Sequence, residues 1–322
     1  MLTIGLDLGG TTFNVACLDA NGEILLSREE ETRQYESPDR MLPRLSGAIA
    51  QLLNDLGEER STQVGAIGVG IPGPVKHREG ICVYAPNLTG WKDLQVAAPL
   101  QSILGLPVFI LNDANAATLG EARFGAGRET DSMLMLTLGT GIGSGLLLND
   151  QLFIGHSERG AEVGHITVDF DSKRGSAGNI GTLESACGRD AIVWRALRHL
   201  SSGRASIIPD ICPDLALLTP LNIAQAAQQG DALAQSVWDE TAVYLAVGIV
   251  NVVFTADVAR VVIGGGIAQA GEVLFAPLRR AVAARTSKLT FDVTQIMPAL
   301  LGPSAGVIGA AQWAREQIHE VQ

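Results

Sequence analysis

The feature that most restricts the fold is an internal repeat. Residues 2–31 read as a strand (LTIGLDL), a turn (GGTT), a strand (FNVACLD), a turn (ANGE) and a third strand (ILLSREEE). Residues 132–155, SMLMLTLGTGIGSGLLLNDQLFIG, repeat that plan. An offset of 130 residues lays Gly9 over Gly139, Gly10 over Thr140 and Thr11 over Gly141, and the next turns, at Asp19 and Asn149, keep the same offset. A register that holds through two successive turns points to a duplicated unit. Two glycine-tipped β-hairpins of this kind imply two similar lobes facing a shared ligand.

The rest of the chain reads as α/β. A helix is expected over 41–56 (MLPRLSGAIAQLLNDL), then a buried strand, VGAIGVGIPGPV, broken by Pro72 and Pro74. PVFILN at 107–112 is a short strand, and a helix starts at Asp113. Residues 220–254 are helical, VARVVIGGGIA is a strand entering a glycine turn, and GEVLFAPLRRAVAARTS and the final GPSAGVIGAAQWAREQIHE are helices. No low-complexity linker separates the halves.

Composition excludes several functions. The net charge is −11 and the pI about 4.9, which argues against a nucleic-acid or anionic-membrane partner, since phosphate backbones require basic patches. Cys17, Cys82, Cys187 and Cys212 form no C-x-x-C pair, so neither a disulfide framework nor a zinc knuckle is expected. Cys17 and Cys82 lie in apolar runs and are expected to be buried and inert. No stretch of 18 apolar residues is free of charges and turn residues, and MLTIGLDLGG has no basic leader or cleavage site. A cytoplasmic protein is the expectation.

Three glycine turns follow apolar strands: DLGGTT at 7–12, TLGTGIGSG at 137–145 and IGGG at 263–266. Glycines allow close backbone approach, successive N–H groups can cradle a phosphate, and threonine hydroxyls add donors. Asp7, beside the first turn, could hold the waters of Mg²⁺. None of the turns fits the P-loop or the dinucleotide-binding glycine fingerprint. Asp113 stands at a strand-to-helix junction, where an isolated acid is first of all a cap. Among phosphate cradles it becomes a general-base candidate, and Asn112 beside it can bind a polyol. The stretch GAEVGHITVDFDSKRGSAGNIGTLE (160–184) carries Glu162, His165 and Glu184 around small and turn-forming residues, and reads as a metal site, a catalytic site or a surface loop.

With these pieces in order, the chain resembles the ROK sugar kinases. The matching stretches are DLGGTT, GVGIPGPV at 68–75, APNLTGW at 85–91, NDANAA at 112–117, GTGIGSG at 139–145, EVGH at 162–165, VVIGGGIA at 261–268 and GPSAGVIGAA at 302–311. PNLTGW is most similar to the glucokinase branch. The resemblance implies an actin/hexokinase-like (ribonuclease H-like) duplicated two-lobed fold, with an active-site cleft between a smaller lobe (1–116 plus 307–322) and a larger one (117–306). It implies ATP-dependent phosphorylation of a hexose, at the 6-hydroxyl of glucose or a related sugar. N-acetylmannosamine, N-acetylglucosamine, allose and fructose are the alternatives, and a non-catalytic sugar-binding or regulatory protein is a further one.

By that resemblance Asp113 is the base, and Asn87, Asn112, Glu162, His165 and Glu184 contact the sugar. Asp7, Gly9, Gly10, Thr11 and Thr12 handle the transferring phosphate and Mg²⁺, with Asp7 reaching the metal through water. Gly139, Thr140 and Gly141 bind the other phosphates, and Gly264, Gly265 and Gly266 lie near the adenosine. A homodimer is implied as well. The family's zinc segment, C-x-C-G-x-x-G-C-x-E, is G-S-A-G-N-I-G-T-L-E here, with Gly175, Ala177 and Thr182 in place of the cysteines. Only His165 of the four zinc ligands is left, so no zinc is expected. SERGAE replaces the usual NGxAGE before Glu162, and Thr12 stands where a lysine is frequent. DNA-binding relatives carry a helix-turn-helix before the kinase-like body; here the first hairpin begins at residue 3, and a repressor is not expected.

Overall fold

A computed structural model describes residues 1–33 and 35–321. The strands of the two main sheets, labelled in chain order, are β1 (Leu2–Leu8), β2 (Thr12–Leu18), β3 (Ile24–Glu31), β4 (Val64–Ile71) and β5 (Val108–Asn112), then β6 (Met133–Leu138), β7 (Ile142–Leu148), β8 (Gln151–Leu152), β9 (Arg260–Gly264) and β10 (Ile296–Pro298). The first sheet has the order β3-β2-β1-β4-β5 and the second β8-β7-β6-β9-β10. In both, the hairpin is antiparallel and the next two strands run parallel to its first strand. The two sheets therefore share one topology, and β2 and β7 keep the offset of the repeat at both ends. Asn149 and Asp150, at φ 50° and 64°, form a left-handed tight turn of the kind that suits the twist of a hairpin.

The chain divides into two compact units. Unit 1 is Met1–Glu129, Leu152–Ala161 and Leu300–Gln322; unit 2 is Thr130–Gln151 and Glu162–Ala299. This differs from the division expected at 116 and 306. Residue 116 falls inside the helix Asp113–Phe124, which stays whole in unit 1. The segment 152–161 also belongs to unit 1, where Leu152 and Ile154 pack on Leu111, Leu119 and Trp313.

In unit 1 the alternation of LTIGLDL serves two faces. Ile4, Leu6 and Leu8 are fully buried in the cluster that contains Met41, Leu45, Ile49 and Leu52 of the helix Pro38–Leu56. Thr3 and Gly5 face the C-terminal helix Ala305–Val321 instead. A Cβ on Gly5 would collide with the carbonyl of Val307, and one on Gly68 with that of Ala310. Small residues on that face let the helix backbone lie directly on the strands, so alternation that reads as one buried face produces two. Trp313 of that helix donates its indole N–H to the Ile110 carbonyl (3.1 Å).

Glu121, fully buried in unit 1, accepts backbone N–H groups from Ala126 (2.8 Å), Leu300 (3.1 Å) and Leu301 (2.7 Å). It ties the end of the helix Asp113–Phe124 to the chain that leads into the last helix. Glu121→Ala would orphan these donors, each worth about 1–3 kcal/mol when left unpaired. We expect a loss of at least about 3 kcal/mol in urea unfolding.

In unit 2 the helix Ala232–Ala256 is, among the described residues, long and apolar enough to cross a membrane by length and composition; 56% of its most apolar window is buried inside the fold. Its inward residues include Trp238, Leu245 and Ile249.

Candidate active site

In an α/β sheet, ligands gather at the carboxyl ends of the parallel strands. In unit 1 that edge holds Asp7, near the end of β1, the turn Gly9–Thr12, and Asn112, the last residue of β5. The Gly9 N–H closes the turn on the Thr12 carbonyl (3.0 Å). Gly10 leaves its Cβ position open toward the exposed Asn87, whose Cβ would lie 3.7 Å away.

Asp7 keeps part of its surface exposed, yet its pKa is pushed up to about 7, first by desolvation in its packed surroundings and then by the neighbouring Asp113 carboxylate. A Cβ on Gly306 would collide with the Asp7 carboxylate, so the first turn of the C-terminal helix packs directly against it. Gly306 lies within GPSAGVIGAA, but nothing in the sequence pairs it with Asp7. Two adjacent acids at a strand edge make a hard, all-oxygen donor set suited to Mg²⁺.

The helix Asp113–Phe124 is capped by Asn112 rather than by Asp113: the Asn112 Oδ1 accepts the Asn115 N–H (3.0 Å). The Asn112 amide also donates to the Gly73 carbonyl (3.1 Å) and to Asp113 Oδ1 (3.0 Å). Both amide hydrogens are thus engaged inside the chain, and Asn112 orients Asp113. Asp113 Oδ1 accepts the Ala114 N–H as well (2.8 Å).

Unit 2 brings its own predicted residues together. In the second glycine turn the Gly139 N–H bonds the Gly141 carbonyl (2.9 Å). Glu184 accepts the N–H of Ile142 (2.9 Å) and fills the space beside Gly141, where any Cβ would strike its carboxylate. Glu184 is therefore in part the prop of this turn. The Arg189 N–H bonds the Gly139 carbonyl (3.0 Å), seating the start of the helix Arg189–Ser201 under the same turn.

The third turn lies beside the second. Gly265 has φ 85°, and a Cβ there would approach the Leu138 backbone nitrogen to 2.7 Å. Gly265 and Gly266 are exposed, whereas Gly264 is buried against Ala299 and Met135, so Gly264 acts in packing.

Glu162 and His165 bracket a short 3₁₀ turn, with His165 Nε2 3.8 Å from Glu162 Oε2. Burial raises the Glu162 pKa; His165 opposes the rise and Glu184 adds to it. The segment after Val168 is a hairpin, Gly175–Ser176 paired with Asn179–Ile180, turned by Ala177 (φ 49°) and Gly178 (φ 85°). Hydrogen bonds hold it: Asn179 Nδ2 donates to the His165 carbonyl (2.9 Å), Thr167 to the Ile180 carbonyl (2.9 Å), and the Val168 N–H to the Gly181 carbonyl (2.8 Å). The Arg174 guanidinium stacks on Trp194, 3.7 Å from the ring centroid. Together with Thr140, Glu184 and Gly188 these two line an open cavity of about 470 Å³. Arg174 and Trp194 come from separate elements, and their pairing leaves no local signature in the sequence.

All four cysteines are free. Burial pushes the Cys17 and Cys82 thiols up to about 11 and Cys187 to about 12, so these three are poor nucleophiles and poor metal ligands.

The ROK family model matches residues 3–317. A glucokinase of Thermotoga maritima is 32% identical over 315 residues, covering 98% of this chain and 98% of that protein. A glucokinase of Halalkalibacterium halodurans is 32% identical over 320 residues, covering 99% and 96%. Among solved structures, a ROK family glucokinase from Streptomyces griseus in complex with glucose and AMPPNP superposes with a TM-score of 0.80 at 30% identity, over 98% of this chain and 100% of that one. The shared topology of the two sheets is the actin/hexokinase-like duplication. With one family spanning nearly every residue and full-length relatives at this identity, the chain belongs to the ROK family.

Proposed function

We propose that this protein is an ATP-dependent hexose kinase that transfers the terminal phosphoryl group of ATP to a sugar hydroxyl, the 6-hydroxyl of glucose first among the candidates. The observation that carries this reading is the Asp7–Asp113 pair at the carboxyl edge of the first sheet, with Asp113 oriented by Asn112. The glucokinase relatives and the glucose–AMPPNP complex of the neighbour support it.

In this reading Asp113 takes the proton of the attacking hydroxyl as that oxygen bonds to the γ-phosphorus, and ADP leaves. Transfer through a loose transition state depends mainly on positioning and charge neutralisation. Mg²⁺, when bound, would neutralise phosphate charge; Asp7, with its raised affinity for a proton, would hold the ion's waters. The N–H groups of Gly9–Thr12 and Gly139–Gly141 suit phosphate oxygens, and Gly265 and Gly266 suit the nucleoside end. Asn87, Glu162, His165 and Glu184 would read sugar hydroxyls, and Asn112 would act through Asp113. Directed hydrogen bonds discriminate because an unmatched buried hydroxyl is costly.

Zinc has no place in this reading. Gly175, Ala177 and Thr182 offer no thiols, and among the described residues no three His, Cys, Asp or Glu side chains are grouped to hold a metal ion. Stoichiometric zinc in the purified protein would contradict it. The proposal extends to a cytoplasmic homodimer that binds neither nucleic acid nor membrane, testable by sedimentation.

A coupled ADP-release assay on a panel of glucose, mannose, fructose, allose and N-acetylhexosamines is expected to show turnover, with the highest kcat/KM for glucose. Sugar binding without turnover on any member would overturn the kinase reading in favour of a non-catalytic sugar-binding protein.

A further inference from the structure

We propose that Ser176 and Thr182 form a hydroxyl relay that holds His165 in its Nε2–H tautomer, which makes them positioning residues for substrate recognition. Three distances define the relay. Thr182, fully buried, accepts the Ser185 N–H (3.2 Å); its Oγ1 lies 3.0 Å from Ser176 Oγ; and Ser176 Oγ lies 2.9 Å from His165 Nδ1.

A hydroxyl carries one proton, and counting protons sets the direction. The Thr182 oxygen already receives one from a backbone N–H, and among the described residues its only other hydrogen-bonding neighbour is Ser176. Buried as it is, it donates to Ser176. The Ser176 oxygen, now an acceptor from Thr182, has its own proton free for His165 Nδ1. Nδ1 accepts that proton and must be bare, so the ring hydrogen sits on Nε2.

The consequence lies on the far side of the ring. Nε2 is 3.8 Å from Glu162 Oε2, too far for a direct hydrogen bond. An Nε2–H donor beside a carboxylate acceptor offers one hydroxyl both partners it can use: it accepts from His165 and donates to Glu162. The opposite tautomer would present two acceptors, and one hydroxyl, with a single proton, could satisfy only one of them. The hairpin itself has separate supports, from Asn179 to the His165 carbonyl and from Thr167 to the Ile180 carbonyl. Ser176 can therefore be changed without undoing it.

The tautomer follows from the geometry alone; its effect on a sugar rests on the hexose-kinase reading. The test has two arms. In long-range ¹H–¹⁵N NMR of the full chain at pH 8, His165 is one of five histidines and is identified by its loss in His165→Asn. The wild type is expected to show an unprotonated Nδ1 and a protonated Nε2. Ser176→Ala is expected to give a mixture of tautomers, and Ser176→Thr, which keeps the hydroxyl, the wild-type pattern. In the kinetic arm, Ser176→Ala raises the hexose KM by about tenfold, the effect of losing one hydrogen bond, with the ATP KM unchanged, and Ser176→Thr restores it. An unchanged tautomer in Ser176→Ala overturns the relay. A changed tautomer with an unchanged hexose KM, or equal KM losses in both variants, overturns its positioning role. If no hexose is turned over, the NMR arm still decides the relay while the kinase reading fails by itself.

Discussion

Asp113→Asn is expected to lower kcat with the preferred hexose by about 10²–10⁴-fold, the usual contribution of a positioned general base. The fold should tolerate the change. The side-chain oxygen that accepts the Asn112 amide and the Ala114 N–H is retained in asparagine, and the helix is capped by Asn112. Only the capacity to take a proton is lost, so sugar binding measured by calorimetry should stay within a few-fold of wild type. Near-normal turnover would remove Asp113 from the role of base. Removing its charge also removes the second cause of the raised Asp7 pKa, so Asp7 should ionise at lower pH in this variant.

Asp7→Asn should separate stability from activity. The Asp7 pKa rises from 3.8 to about 7 on folding, mainly through burial. A carboxyl with a raised folded-state pKa contributes stability below its unfolded pKa and loses it as the pH rises through the folded value. Between pH 3.8 and about 7 the native state gives up roughly 4 kcal/mol in this way, at 1.36 kcal/mol per pH unit. An amide at that position carries no such penalty. The variant is therefore expected to be more stable than wild type at pH 8 by up to that amount, with the gap closing as the pH falls toward 4. Urea unfolding at pH 5 and pH 8, without nucleotide or Mg²⁺, measures it; a gap that ignores pH would refute the burial argument. Turnover should fall by at least a hundredfold at every Mg²⁺ concentration, because the carboxylate proposed to hold the ion's waters is gone. In wild type the same titration should weaken apparent Mg²⁺ affinity as the pH drops below about 7. A site that stores an unfavourable charge in the free protein and uses it on binding is a familiar exchange of stability for function.

Much of this architecture was readable from local pattern. Strand, glycine turn and strand recur at fixed spacing, and the strands formed where period-two alternation and turn residues placed them. Asp7 and Asp113 could be singled out because each stands at the carboxyl end of an apolar strand, among glycine turns that can cradle phosphate. The two contact units divide the chain elsewhere than the sequence suggests, because the segment 152–161 carries no sign of which core its Leu152 and Ile154 join. The sequence marks Asn112 as a polar residue at the strand end, and its bond to Gly73, 39 positions away, is set by the fold alone. The bond from the Ile142 N–H to Glu184 likewise has no signal in the sequence, since 42 positions separate the two.

By itself, the sequence determined the duplicated topology, the three glycine turns and the absence of thiols from the loop after His165. These depend on neighbours within a few residues, where φ/ψ preferences and side-chain periodicity act directly. Only the tertiary structure decided that Gly306 presses on Asp7, that Arg174 stacks on Trp194, and that two hydroxyls line up behind His165. Each of those joins residues from separate elements, and a hydrogen bond or a buried charge takes its energy from a distance set by packing, which no local pattern encodes.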